Sequence, residues 1–137
     1  MLQFFHSRDL FASSLASRAS IEGAHIWPQI GHAGALSHSP ISQPTGPSAL
    51  KIGRFQCAGM LMTEVNQLPD MYARAAVLAK DVGFTGAQIH AGHGFLLSQF
   101  LSPLFNHRND QYGGSIEARC RIIVEVIDKV RRAVGPS

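Results

Sequence analysis

Residues 86–121 read GAQIHAGHGFLLSQFLSPLFNHRNDQYGGSIEARCR, which joins a short strand pattern, a loop of small residues and the start of a long helix. Residues 85–90 predict a strand that ends at His90. Ser115 follows two glycines and is a suitable N-cap, and the apolar spacing after it predicts a helix over 115–134. A strand followed by a helix in this order is typical of α/β folds.

Two histidines stand where this predicted strand gives way to the loop. His90 ends the strand, and His93 follows three positions later among small residues that let the backbone approach a bound group closely. Two imidazoles at a strand end could donate hydrogen bonds to an anionic or carbonyl oxygen, or they could bind a metal. They could equally satisfy neighbouring backbone carbonyls, and the residues alone leave these alternatives open.

The sequence before residue 85 supplies a second strand and two more helices. Residues 9–19 predict a short helix, and residues 25–30 predict a strand, although Pro28 cannot donate a ladder hydrogen bond. Residues 31–59 are rich in glycine and proline and predict a long loop, which in a compact domain is usually functional. Residues 63–83 then show helical spacing.

Capping signals and apolar stripes refine the two long helices. Thr63 is the expected N-cap of the first, Pro69 is expected in its first turn, and Gly83 is expected to end it. Gly135 is expected to end the second helix. The stripes expected to face the sheet or core are Met71, Ala75, Leu78 and Val82 on the first helix, and Ile116, Cys120, Ile123, Ile127, Val130 and Val134 on the second.

The alternation of helices and strands implies a parallel sheet with helical crossovers. Two strands cannot bury both faces of such a sheet, so the sequence predicts a segment of a larger α/β fold. Its unpaired strand edges would favour self-association of the chain.

Composition excludes several classes of protein. The chain has 137 residues, 45% of them hydrophobic and 15% charged, which argues against disorder. Twelve Lys and Arg against nine Asp and Glu give a net charge of +3 without a basic tract, so nucleic-acid binding is not expected. The apolar runs are too short to span a membrane. Cys57 and Cys120 fit neither a disulfide framework nor a zinc spacing, and we expect reduced thiols in a cytoplasmic protein.

Residues 86–121, with HIWPQIGHAG at 25–34 and the helix before His90, closely resemble the old yellow enzyme family of flavin-dependent NADH oxidoreductases and ene-reductases. The resemblance implies that residues 1–137 form a single partial domain, a fragment of a (β/α)8 barrel that supplies about its third and fourth strands and their helices. It also implies FMN as the cofactor and NAD(P)H as the reductant.

The same resemblance implies roles for individual residues. Gln29 would hydrogen-bond the pyrimidine edge of the flavin, and His90 and His93 would bind the activating oxygen of a small-molecule substrate. The family pattern calls for no metal. Phe95 stands where many family members carry a tyrosine that protonates the substrate, and phenylalanine has no proton to give.

Two further positions, Ala35 and Ala118, also depart from the family pattern, where relatives carry arginine and asparagine.

The implied activity is hydride transfer from NAD(P)H through the flavin to an activated alkene. The alternative is a truncated, catalytically inactive relative that acts as a binding or assembly partner.

Overall fold

The described part of the chain begins with a helix that is longer than the sequence predicts. In this computed structural model, residues 3–38 and 42–136 are described. Helix α1 spans Gln3–Ala19 and starts earlier than the predicted 9–19, since neither glycine nor proline interrupts its first turns. A single 3-10 turn over Ile21–Gly23 follows it.

The two central strands are β1 (Gln29–Ile30) and β5 (Gln88–Ile89), which pair in parallel with Gln29 opposite Gln88 and Ile30 opposite Ile89. The predicted strands over 25–30 and 85–90 are therefore too long. Pro28 lacks an N–H, and a Cβ at Gly86 would meet the indole of Trp27 at 2.7 Å. Before Pro28 and Gln88, the two segments are therefore in contact through the Trp27 ring and Gly86 rather than through regular strand pairing.

The predicted loop over 31–59 is only partly a loop, and its residues 39–41 lie outside the described part of the chain. It contains a 3-10 turn over Gly34–Leu36 and three short strands, β2 (Thr45–Gly46), β3 (Leu50–Ile52) and β4 (Phe55–Gly59). These strands form a separate sheet in the order β2-β4-β3. Strands of two to five residues are too short to show a period in the sequence, which explains the wrong prediction.

Helix α2 spans Met62–Asp81 and differs from the prediction at its start. Thr63 is not the N-cap: Leu61 is, and its N–H donates to the Glu64 carboxylate at 2.6 Å. Pro69 lies inside the helix rather than in its first turn. Gly83 follows the helix with φ 98°, as predicted for its stop.

Helices α3 (Leu96–Leu101) and α4 (Ile116–Val134) complete the described elements, and only the second was predicted as a helix. Its caps are confirmed. The Ser115 hydroxyl accepts from the Ala118 N–H at 3.3 Å, and Gly135 ends the helix with φ 80°. The apolar residues 95–101 favour only a short turn by their sequence, but residues 96–101 form α3 and Phe95 is its N-cap.

The core lies where α2, α3 and α4 meet. Its buried residues are Val65, Leu68, Tyr72, Leu96, Leu97, Phe100, Tyr112, Ile122 and Val126.

The predicted core stripes are confirmed only in part: Ile123 and Val130 of α4 pack against this core, but other stripe residues are exposed. Met71 and Leu78 are 42% and 49% exposed on α2, and Ile127 is 51% exposed on α4. The reason is that α2 and α4 pack mainly on each other, so the buried face of each is the one that meets the other helix. No helix among residues 3–38 and 42–136 is both long and apolar enough to cross a membrane.

Candidate functional site

His90 lies at the carboxyl end of β5 and is 8% exposed. Its backbone N–H donates to the Ile30 carbonyl at 2.8 Å, which ties it to β1. Gly31 comes directly after β1, and a Cβ there would lie 3.3 Å from the His90 Cβ. The absence of a side chain at position 31 therefore lets the imidazole lie against the neighbouring strand.

His93 is held in a tight turn beside His90. Its φ of 55° lies in the left-handed region, which is uncommon for residues other than glycine, and Gly94 continues it with φ 75°. The Phe95 N–H closes the turn on the Gly92 carbonyl at 3.1 Å. The two imidazole centroids are 5.2 Å apart with 31° between the ring planes. Backbone strain of this kind is often found at functional sites.

Phe95 is the third member of this cluster. Its ring centroid lies 5.0 Å from that of His90, with the planes 63° apart, an edge-on arrangement. The residue also forms the N-cap of α3 in an extended conformation. The structure therefore brings His90, His93 and Phe95 together. Phe95 contributes a hydrophobic wall and neither a donor nor an acceptor.

Gln29 lies on β1, outside this aromatic cluster. Its side-chain amide donates to the amide oxygen of Gln88 at 2.8 Å. Residues two apart along a strand share a face, so Gln88 and His90 lie on the same side of the sheet, and the bond places Gln29 there too. Sequence reasoning missed Gln88, although its i, i+2 relation to His90 was a usable signal.

The donor set on this face fits the ring edge of a flavin. Gln29 and Gln88 are part of an exposed amide pair, and each amide can donate as well as accept. The pyrimidine edge of FMN presents carbonyl oxygens and an N–H, for which amides are suitable partners.

Gln99 on α3 is a buried polar residue that sequence reasoning also missed. Its side-chain oxygen accepts from the Ala35 N–H at 2.9 Å, and its side-chain nitrogen donates to the carbonyls of Ala33 at 3.0 Å and Gly94 at 2.7 Å. It thereby joins the loop after β1 to the turn that carries His93. Nothing in the local sequence signals these partners, because two of them lie more than 60 positions away.

His32 belongs to the loop after β1 and serves it locally. Its Nδ1 accepts from the Gly34 N–H at 2.9 Å, and burial lowers the pKa of the imidazole. Within the described residues, no group of three or more His, Cys, Asp or Glu side chains is placed to hold a metal ion.

Arg108 fixes the loop between α3 and α4. Its guanidinium donates to the Asp110 carboxylate and to the carbonyls of Pro47 at 2.9 Å and Met60 at 2.7 Å. The hydrogen bond from Arg108 holds the pKa of the Asp110 carboxyl below its usual value. The loop is thus tied to the small sheet, and it delivers Ser115 to the start of α4.

Known proteins match this chain over most of its length. The model of the NADH:flavin oxidoreductase / NADH oxidase family matches residues 13–137. The NADH oxidase of Thermoanaerobacter brockii is 37% identical over 126 residues, which cover 88% of this chain and 19% of that protein. The 12-oxophytodienoate reductase 1 of Oryza sativa subsp. japonica is 40% identical over 126 residues, which cover 83% of this chain and 33% of that protein.

A solved structure of a similar protein also matches this chain over most of its length. The old yellow enzyme homologue from Zymomonas mobilis superposes with a TM-score of 0.84 at 29% identity, over 93% of this chain and 39% of that one. The predicted fold class is confirmed: the chain folds as part of a (β/α)8 barrel, with β1 and β5 as neighbouring strands. It spans only 19% and 33% of the length of the two curated relatives.

Proposed function

Because this chain belongs to the NADH:flavin oxidoreductase / NADH oxidase family, we propose that it forms part of an FMN-dependent oxidoreductase. In this proposal, hydride passes from NAD(P)H through the flavin to an activated alkene such as an α,β-unsaturated carbonyl compound. FMN is the cofactor of the family and NAD(P)H its reductant. When bound, the flavin supplies the hydride, and the residues of this chain bind and orient the acceptor.

The observation that carries the proposal is the pairing of His90 with His93, whose ring centroids lie 5.2 Å apart at the end of β5. When hydride reaches the β-carbon of an unsaturated carbonyl compound, negative charge develops on the oxygen. Two N–H donors held in place before the reaction stabilise that charge. Each contributes about 3 kcal/mol if oxyanion-hole donors are a guide.

Phe95 leaves this cluster without a side chain that can protonate the substrate. Its ring packs edge-on against His90 and carries no proton that can be transferred. His93 is exposed, so water reaches the cluster from that side. We propose that water or a donor outside this cluster protonates the α-carbon. If so, Phe95→Tyr, in a complete barrel, raises the rate at which an enone oxidises the reduced flavin, since general acids usually contribute about 10²- to 10⁴-fold.

The proposal is tested by titrating the 137-residue chain with 4-cyanophenolate while the imidazole resonances of His90 and His93 are followed by NMR. Both sets of resonances should shift with one dissociation constant. His90→Ala and His93→Ala should each weaken binding by about 10- to 100-fold, as expected for a hydrogen bond to a charged group. His25→Ala removes an exposed imidazole before β1 and is the matched control.

Two outcomes would count against the proposal. Unchanged affinity in both alanine variants would mean that the imidazoles have only a structural role. A folded wild-type chain that binds no phenolate would favour the inactive relative instead.

A further inference from the structure

Gln99 uses its whole side-chain amide inside the protein. The residue is 0% exposed, and both of its donor hydrogens and its oxygen are engaged. The partners belong to two backbone segments, residues 33–35 after β1 and the turn 92–95 that carries His93. A buried amide satisfied in this way is expensive to replace, because each partner left alone keeps its desolvation cost.

The loop after β1 is shaped around this amide. Gly34 has φ 62°, and a Cβ at that position would collide with the amide oxygen of Gln99. A second hydrogen bond joins the residues that flank these two segments, from the Leu96 N–H to the His32 carbonyl at 2.8 Å. The loop and the turn therefore meet through one side chain and one backbone hydrogen bond.

We infer that Gln99 is a positioning residue that sets His93 against His90. His90 is fixed by β5 and its bond to β1, whereas His93 lies in a turn with an unfavourable φ. The bond from Gln99 to the Gly94 carbonyl holds this turn, and its bonds to Ala33 and Ala35 link the turn to the loop after β1. The benefit to oxygen binding rests on the proposed function, but the placement of His93 does not.

The test compares Gln99→Met with Leu97→Ala in the full 137-residue chain. Methionine has a similar length and no amide, and Leu97 is equally buried on the same helix within the core. NMR would follow the contacts between the His90 and His93 rings, and the exchange rate of the Ala35 amide relative to amides of α4. In Gln99→Met the ring contacts should weaken and the relative exchange should rise about tenfold or more, equivalent to about 1.4 kcal/mol.

Leu97→Ala should lower the melting temperature and leave both readouts unchanged. Gln99→Glu is the second variant. It retains an acceptor for the Ala35 N–H, but as a buried neutral acid it has one donor in place of the two that serve Ala33 and Gly94. Here the Ala35 amide should stay protected while the ring contacts weaken. Unchanged ring contacts in the folded Gln99 variants, or equal changes in Leu97→Ala, would overturn the inference.

The phenolate titration separates this inference from the proposed function. If the wild-type chain binds no phenolate but the ring contacts depend on Gln99, the proposed function fails and the positioning role stands. If the wild-type chain and Gln99→Met bind phenolate equally well and show the same ring contacts, the positioning role is refuted while the proposed function survives.

Discussion

Truncation of Ile122 should cost far more stability than truncation of Ile127, although both are isoleucines of α4. Ile122 is 0% exposed and belongs to the core between α2, α3 and α4, whereas Ile127 is 51% exposed. Ile122→Ala removes buried methyl groups and leaves a cavity, which costs about 2–5 kcal/mol. Ile127→Ala loses about half of the transfer energy and leaves no enclosed cavity, so about 1 kcal/mol is expected.

Urea and thermal unfolding followed by circular dichroism measure this difference. At about 4 °C per kcal/mol for a chain of this size, Ile122→Ala should lower the melting temperature by about 8–20 °C. Val124→Ala, at a position that is 62% exposed, is the control and should change stability by less than about 0.5 kcal/mol. Equal losses at Ile122 and Ile127 would refute the assignment of the buried face, since they would mean that the face carrying Ile127 is packed as tightly as the face carrying Ile122.

Three further predictions concern the loops, the caps and the isolated chain. Since Arg108 lowers the pKa of Asp110, this pair should stabilise the fold above the unfolded carboxyl pKa of about 3.9, and the contribution should be lost as pH falls through the lower folded value. The free energy of unfolding in urea, measured from pH 7 to pH 3, should therefore depend less on pH in Asp110→Asn than in the wild type. An unchanged pH profile would contradict this. Ser115→Ala removes the N-cap acceptor of α4 and should cost about 0.5–2 kcal/mol in the same unfolding assay, whereas no loss would show that the cap is not formed. The isolated chain should bind FMN weakly and self-associate through its strand edges. Flavin fluorescence titration would measure the binding, and light scattering would measure the self-association. Tight one-to-one flavin binding by a monomer would contradict this prediction.

Helix α4 could be predicted from the sequence because its signals are local and agree. The serine cap, the long apolar period and the terminal glycine lie within about twenty positions and define one element. The face it buries could not be predicted, because that depends on where α2 lies. The strands β2, β3 and β4 were missed because two to five residues are too few to show a clear period. Their pairing is local in part, since Ile52 of β3 pairs with Phe55 of β4 across a two-residue turn.

In the candidate site, too, most of the residues with local signals could be predicted and those that depend on distant partners could not. His90, His93 and Phe95 lie within six positions of one another, so a single strand end and turn bring them together. Gln99 was missed because two of its partners lie in the loop after β1, more than 60 positions away. Gln88 was missed although its i, i+2 spacing from His90 was a local signal. A glutamine has the same appearance in a sequence whether it lies on the surface or joins two buried loops.

The parallel pairing of β1 with β5 gathers Gln29 and His90 at one edge of the sheet, so the register of this pair is the most direct test. The structure places the His90 N–H on the Ile30 carbonyl at 2.8 Å and the Gln88 N–H on the Pro28 carbonyl at 3.0 Å. Scalar coupling across hydrogen bonds, measured by NMR on the labelled chain, should connect these two nitrogen–carbonyl pairs. A coupling from the His90 nitrogen to the carbonyl of Gly31, or free exchange of both amides with solvent, would contradict the pairing and the site built on it.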